Sequence, residues 1–342
     1  MNKIDRREFL KLAGAAGLAG IPGLTPALAA ESDVIAKGKA EGKAVFYANI
    51  TSVSSVMKAF DADTGINGVY TRISSSKFIP TILTEFTAGK LLADVVQAPR
   101  PMLELLNAQG VLDAYQPPSA AGYPEWARKD PHMTMFGIEY VSYLYNKDHV
   151  KDADAPKRYE DLTDPKWKGK IVMADPSTHS STISWLVGLK ELVFKSESDW
   201  MQYLKGLAAN KPMFVASFGP TPAPVESGEK LIGISMPKYI VTKAPAPLAW
   251  GPRSGQPLLG TPRAIGMPKH PPHPNAAKAF LEFWLSKKAM GLLASKVGEY
   301  VLAPGVYPPI EGIDKVKVLP VRDLPDSEIE KWGHQFGQIF TK

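Results

Sequence analysis

From Lys43 onward the chain alternates short apolar runs with longer amphipathic ones. That rhythm restricts it to α/β folds in which helices cover a largely parallel sheet. Ala44-Val45-Phe46-Tyr47-Ala48 reads as a buried strand. Ser54–Thr64 places Val56 and Phe60 at helical spacing and meets Gly65, a C-terminal stop. Val69–Ile73 is a second strand, and Phe78–Ala88 a helix that admits Pro80 only in its first turn. Ala93–Gln97 and Pro101–Ala108 complete the series as strand and helix. A second unit begins near Met133, with strands over Tyr140–Tyr145, Lys170–Ala174 and Leu231–Ser235 and helices over Ser181–Phe194 and Asp199–Leu207. Ala244–Pro262, rich in Pro and Gly, reads as crossing loops. Arg263–Met267 is then a strand, Asn275–Lys287 a helix with Asn275 as N-cap, and Ser327–Phe340 a closing amphipathic helix.

With 342 residues, 44% of them hydrophobic and 22% charged, there is material for two lobes with real cores, which rules out a disordered or fibrous chain. The absence of cysteine excludes disulfides, thiolate metal sites, iron–sulfur clusters and cysteine nucleophiles. The formal charge of +6 falls to +4 once residues 1–29 are left aside, which is no nucleic-acid footprint, and the nearest thing to a basic run, Lys166-Trp167-Lys168-Gly169-Lys170, reads as a solvated turn. Residues 1–29 read as an export signal: a charged head, an apolar stretch from Leu12 to Leu24, and Ala27-Leu28-Ala29 as cleavage site. Arg6-Arg7 followed by Glu8-Phe9-Leu10-Lys11 resembles the twin-arginine signal, so the expected location is the periplasm. No run beyond the first thirty residues is long enough to span a bilayer, so the mature chain is expected not to be membrane-embedded.

Open α/β sheets bind ligands outside the carboxyl ends of their strands. Asn49 and Thr51 follow the first strand there, Ser74-Ser75-Ser76 the second, and Gln97 ends the third. Tyr140 heads a strand of the second unit and joins this candidate set. The richest stretch is Asp175-Pro176-Ser177-Thr178-His179-Ser180-Ser181-Thr182, which ends a strand and opens a helix. Exposed N–H groups and hydroxyls at a helix N-terminus form an anion pocket, so Ser177, Thr178, His179, Ser180 and Ser181 are candidate ligand contacts. His270-Pro271-Pro272-His273 has zinc-like spacing, but prolines forbid a helix and no third ligand is nearby. The S-x-x-K strings Ser74–Lys77 and Ser235–Lys238 lack the S-D-N and K-T-G companions of acyl-transfer enzymes. No metal, no cofactor and no catalysis are expected; an exported serine hydrolase is the alternative from another class.

The string His273-Pro274-Asn275-Ala276-Ala277-Lys278-Ala279-Phe280-Leu281-Glu282-Phe283-Trp284-Leu285-Ser286 resembles a helix of periplasmic solute-binding proteins of ABC importers, in the ferric-ion, phosphonate, thiamine and polyamine branch. Ala40–Tyr47, Phe60–Gly65, Thr84–Val95 and Leu162–Asp175 match the same branch in order and spacing. The resemblance implies a type II, Venus-flytrap fold whose two lobes close on a ligand about a hinge. It divides the chain into 30–132 as the first part of lobe 1, 133–249 as lobe 2, 250–305 as the return of lobe 1, and 306–342 as a C-terminal segment and helix on lobe 2. It further implies a monomer that delivers a small anionic solute, bearing carboxylate, phosphonate or phosphate, to a permease and its ATPase. Ferric members of the branch use a Tyr-Tyr pair where this chain has Lys238-Tyr239. An ammonium repels a trivalent ion, so Lys238 and Tyr239 are expected to serve an anion, with a ferric ion or ferric chelate as the alternative cargo.

Overall fold

The computed structural model describes residues 26–340. The expected export signal falls mostly outside them, and Ala27–Ala29 stand in the first turns of helix α1 (Pro26–Glu41). Next come β1 (Lys43–Ala48), α2 (Ser54–Thr64), β2 (Asn67–Arg72), α3 (Ser75–Thr87), β3 (Val95–Pro99), α4 (Arg100–Ala108) and β4 (Leu112–Asp113). The thirteen-residue strand β5 (Thr134–Asn146) leads into β6 (Ile171–Ala174), α5 (Ser180–Leu192), α6 (Glu197–Ala209), β7 (Met213–Val215), α7 (Pro222–Glu226), β8 (Ile232–Ser235) and α8 (Tyr239–Thr242). The chain returns through β9 (Leu248–Gly251), β10 (Leu258–Pro268), α9 (Pro274–Trp284), α10 (Lys287–Leu292), β11 (Tyr300–Val301), β12 (Val318–Pro320) and α11 (Asp326–Phe340).

The strand order is β2-β1-β3-β10-β5-β8-β6-β7. β1, β2 and β3 run parallel, as do β6, β7 and β8, while β5 and β10 run antiparallel to each other through the middle and serve both halves. In the first half Phe46 meets Phe280 and Trp284 at ring-centroid distances of 4.8 Å each, and Phe78 and Leu103 fill the other face of the sheet. Trp185, Trp200 and Phe336 centre the second half. Each such ring taken out of water is worth about 1.5–3 kcal/mol. α11 packs on α5 and α6, so the C-terminal helix belongs to the second half.

Three readings of the sequence need correction. Ala244–Pro262 is not all loop: Leu248–Gly251 is a fully buried strand on β5, and β10 begins at Leu258. Its prolines flank the pairing. Pro262, inside β10, falls between the β12 partnership ending at Gly260 and the β3 partnership starting at Arg263, where a missing N–H breaks no ladder on that side. Asn275 is not the N-cap of α9. Pro274 takes the first helical position, His273 precedes it, and Asn275 donates its N–H and Nδ2 to the Glu41 carboxylate at 2.9 and 2.6 Å. α3 starts at Ser75 rather than Phe78, which carries Pro80 beyond the first turn.

Candidate functional site

The floor between the halves is the β5–β10 pair, where Thr261 lies opposite Glu139 and Arg263 opposite Gly137. The side-chain period of two puts Thr261 and Arg263 on one face. Arg263 is 5% exposed, and its guanidinium reaches Glu139 Oε2 at 2.7 Å and Glu299 Oε2 at 3.3 Å. Lys238 Nζ lies 3.3 Å from the other oxygen of Glu299. The result is a chain of alternating charge, Lys238–Glu299–Arg263–Glu139, which is neutral as a whole. Despite burial, Arg263 and Lys238 hold the Glu299 carboxyl below its ordinary pKa.

The second wall grows from the turn after β6. Asp175 Oδ1 accepts from Ser177 N at 2.8 Å and from Ser177 Oγ at 2.6 Å, while its carbonyl accepts from His179 N at 2.9 Å. This turn sets His179 at the N-cap of α5. There its Nδ1 accepts from Thr182 N at 3.3 Å and lies 2.8 Å from Thr182 Oγ1. The ring stands edge-on to Phe218 with centroids 4.8 Å apart, and burial lowers its pKa. Ser177 and His179 are thus committed to shaping the loop. Ser180 and Ser181, the first two residues of α5, keep their N–H groups and hydroxyls unspent among the described residues.

Ser180, Ser181 and Ser184 line a cavity of about 550 Å³ together with Glu139 and Thr261 on the floor. Ile79, Pro80, Pro99 and Met102 form the opposite wall, and Asp323, Leu324 and Ile329 close one side. Arg100, at the start of α4, spans the gap to Asp323 with its Nε 2.6 Å from the carboxylate. Tyr239 stands beside the same floor. Burial first, then the charges of Glu139 and Glu299, push its hydroxyl pKa up to about 12, against Arg263.

Of the expected contacts, Ser180 and Ser181 meet in this cavity, whereas Thr178 is exposed on the turn. Lys238 departs from expectation, because its charge is already matched by Glu299. Tyr140 also departs: it is 1% exposed and its hydroxyl donates to the Gly298 carbonyl at 3.1 Å. Gln97 is fully buried and braces the loop after β1, its Oε1 accepting from Ile50 N at 3.1 Å while Asn49 N donates to the Gln97 carbonyl. Thr51 is exposed on that loop, Ser74 stands at the N-cap of α3, and Ser75 and Ser76 are its first two residues. Gln97, Asn49, Thr51 and Ser74 do not line the cavity. Sequence reading missed Glu139, Thr261, Arg263, Glu299 and Asp323. The available signal was a charge inside an apolar strand, as Glu139 is within Met135–Tyr145. Among the described residues no group of three or more His, Cys, Asp or Glu stands close enough to hold a metal, and no helix is long and apolar enough to cross a membrane.

Residues 55–318 match the pattern of the family described as bacterial extracellular solute-binding protein. The chain belongs to this family. Among curated relatives, the solute-binding protein is 28% identical over 207 residues to "Iron uptake protein A1" of Synechocystis, covering 54% of each chain. It spans about half the length of the curated relatives it matches. Its fold is similar to that of the substrate binding protein of an ABC transporter from Agrobacterium tumefaciens (TM-score 0.71, 16% identity, 88% of this chain and 96% of that one). Iron-bound HitA from Pseudomonas aeruginosa follows (0.68, 20%, 86% and 99%). AfuA from Actinobacillus pleuropneumoniae, solved with fructose-6-phosphate, is also similar (0.64, 21%, 88% and 97%). The two-lobed periplasmic-binding-protein fold expected from the sequence is therefore the fold found.

Proposed function

We propose that this solute-binding protein is the receptor of an ABC importer, exported to the periplasm by the twin-arginine route, which captures a small organic anion and passes it to a permease and its ATPase. The lobe boundaries proposed are those implied by the sequence resemblance. The observation that carries the reading is the pair Ser180 and Ser181: two unspent N–H groups at a helix N-terminus, inside a cavity walled by both lobes. Ligand favours the closed state by the contacts it adds there. Ser235 of the second S-x-x-K string is fully buried against Thr221 Oγ1, which supports binding rather than acyl transfer. The test is Ser180→Pro. Proline fits the first helical position and removes one N–H without breaking α5. Once a thermal-shift screen supplies an anion, the variant should bind it about tenfold more weakly at nearly unchanged Tm. Undiminished affinity would remove the α5 N-terminus from the site.

A second reading, a ferric ion or ferric chelate, is favoured by the names of "Iron uptake protein A1" and of iron-bound HitA. Two observations stand against it. Lys238 precedes Tyr239, and the Tyr239 hydroxyl, held at a pKa of about 12, gives up its proton reluctantly. Ferric citrate should therefore raise no tyrosinate-to-iron band in the visible spectrum. A band abolished by Tyr239→Phe would put iron first.

A further inference from the structure

Resting on the anion reading, we infer that the cleft selects a monoanion that also carries a hydrogen-bond donor, a hydroxyl or an ammonium group, over dianions such as phosphate esters and over bare carboxylates. The reason lies in the cations around the cavity, each of which already has its carboxylate. Arg100 is held by Asp323. Arg322 is held by Glu191 at 2.8 Å and Glu328 at 2.7 Å. Lys238 and Arg263 share Glu299, and Arg263 also holds Glu139. Full positive charge is thus spent before a ligand arrives. What remains is the partial charge at the α5 N-terminus, roughly half a unit, which suits one negative charge and not two.

The floor asks for the opposite polarity. The neutral ion chain turns its carboxylate end, Glu139, toward the cavity, with 20% of that side chain exposed. Among the described residues Glu139 Oε1 has no ion-pair partner, so it is an acceptor facing the solute. Asp326 adds a second negative charge to the lining, and Thr261 and Ser184 add hydroxyls. A phosphate dianion would meet these carboxylates with its own charge. A hydroxy acid or amino acid can set its carboxylate on Ser180 and Ser181 and its donor on Glu139. A cavity of about 550 Å³ has room for such a molecule.

The experiment is a thermal-shift and titration panel of short monocarboxylates in matched bare, hydroxylated and aminated forms, beside glycerol 3-phosphate and glucose 6-phosphate. Hydroxylated or aminated forms should bind at least tenfold more tightly than their bare counterparts and than the phosphates. Glu139→Gln should sharply reduce that preference, with bare carboxylates binding no more weakly than to wild type. Because Glu139 also pairs Arg263, thermal melting monitors folding, and Glu139→Asp, which keeps the charge, should retain part of the preference. Equal or tighter binding of bare carboxylates or phosphates, or a preference unmoved in Glu139→Gln, overturns the inference and leaves the anion reading intact. If no anion in the panel stabilises the protein, the anion reading falls and this inference with it.

Discussion

Glu299 shows how one residue position decides a site. Its side chain is 2% exposed, yet it faces two cations, Lys238 and Arg263. Such an arrangement is tolerable only while the charges stay balanced, since removing one partner leaves an uncompensated buried ion. Glu299→Gln should therefore destabilise the protein by about 3 kcal/mol, read as a lower midpoint in urea unfolding. Lys238→Met should cost less, because Lys238 sits at the more open end with 14% of its side chain exposed. Equal losses in the two variants would contradict this ranking. The sequence reading had found Lys238 but assigned its charge to a ligand. Its partner Glu299 is sixty-one residues away in sequence, and no local pattern ties the two together. Pairings made by the fold, not by neighbours, are what escaped at this scale.

At the level of elements, α9 illustrates why most of the fold was legible and its caps were not. Its apolar spacing is plain in the sequence, as is Gly65 closing α2 in the left-handed conformation, whereas the end expected at Lys287 falls at Trp284. The group that caps α9 comes from elsewhere. Glu41, last residue of α1, accepts from Asn275 N at 2.9 Å and from Ala276 N at 2.8 Å. Asp94 accepts from His273 N at 2.7 Å and from Val45 N at 2.7 Å, fastening the same corner to β1. Glu41→Ala should therefore cost roughly 1–2 kcal/mol and lower the melting temperature, whereas Asn275→Ala, which keeps the backbone bond, should cost less. Identical melting curves for wild type and Glu41→Ala would show that water replaces the carboxylate. β9 was hidden for a related reason. Prolines on either side of Leu248–Gly251 signal loops, and only the edge of β5 left unpaired by β8 reveals that a strand fits between them.

For the whole molecule, the pair Arg100–Asp323 is the direct polar tie between α4 of one lobe and the segment leading to α11 on the other. Glu104 lies 3.5 Å from Arg100 in the next turn and faces Asp323. Burial raises the pKa of both carboxyls, the charge of Asp323 raises Glu104 further, and Arg100 opposes both shifts. A raised pKa means that the joined arrangement holds a proton more tightly than separated carboxylates do, so acidification from neutral pH toward the ordinary carboxylate range favours closure. Half-exposure of Glu104 keeps the effect modest. With no native cysteine, spin labels on Leu92→Cys and Leu192→Cys, both exposed, report the lobe separation without interference. Arg100→Gln should lengthen that distance in ligand-free protein, and Glu104→Gln should weaken its pH response; a distance indifferent to both would sink the tie. The central position of β10 has a consequence in time. β10 lies between β3 and β5, yet Leu258 trails Pro99 by roughly 160 residues, which a ribosome adding roughly 5–20 residues per second needs some 10–30 s to make. The sheet of the first half is thus completed only after β6, β7 and β8 of the second have been made. Throughout that interval β3 offers an open, apolar edge to whatever attends the nascent chain.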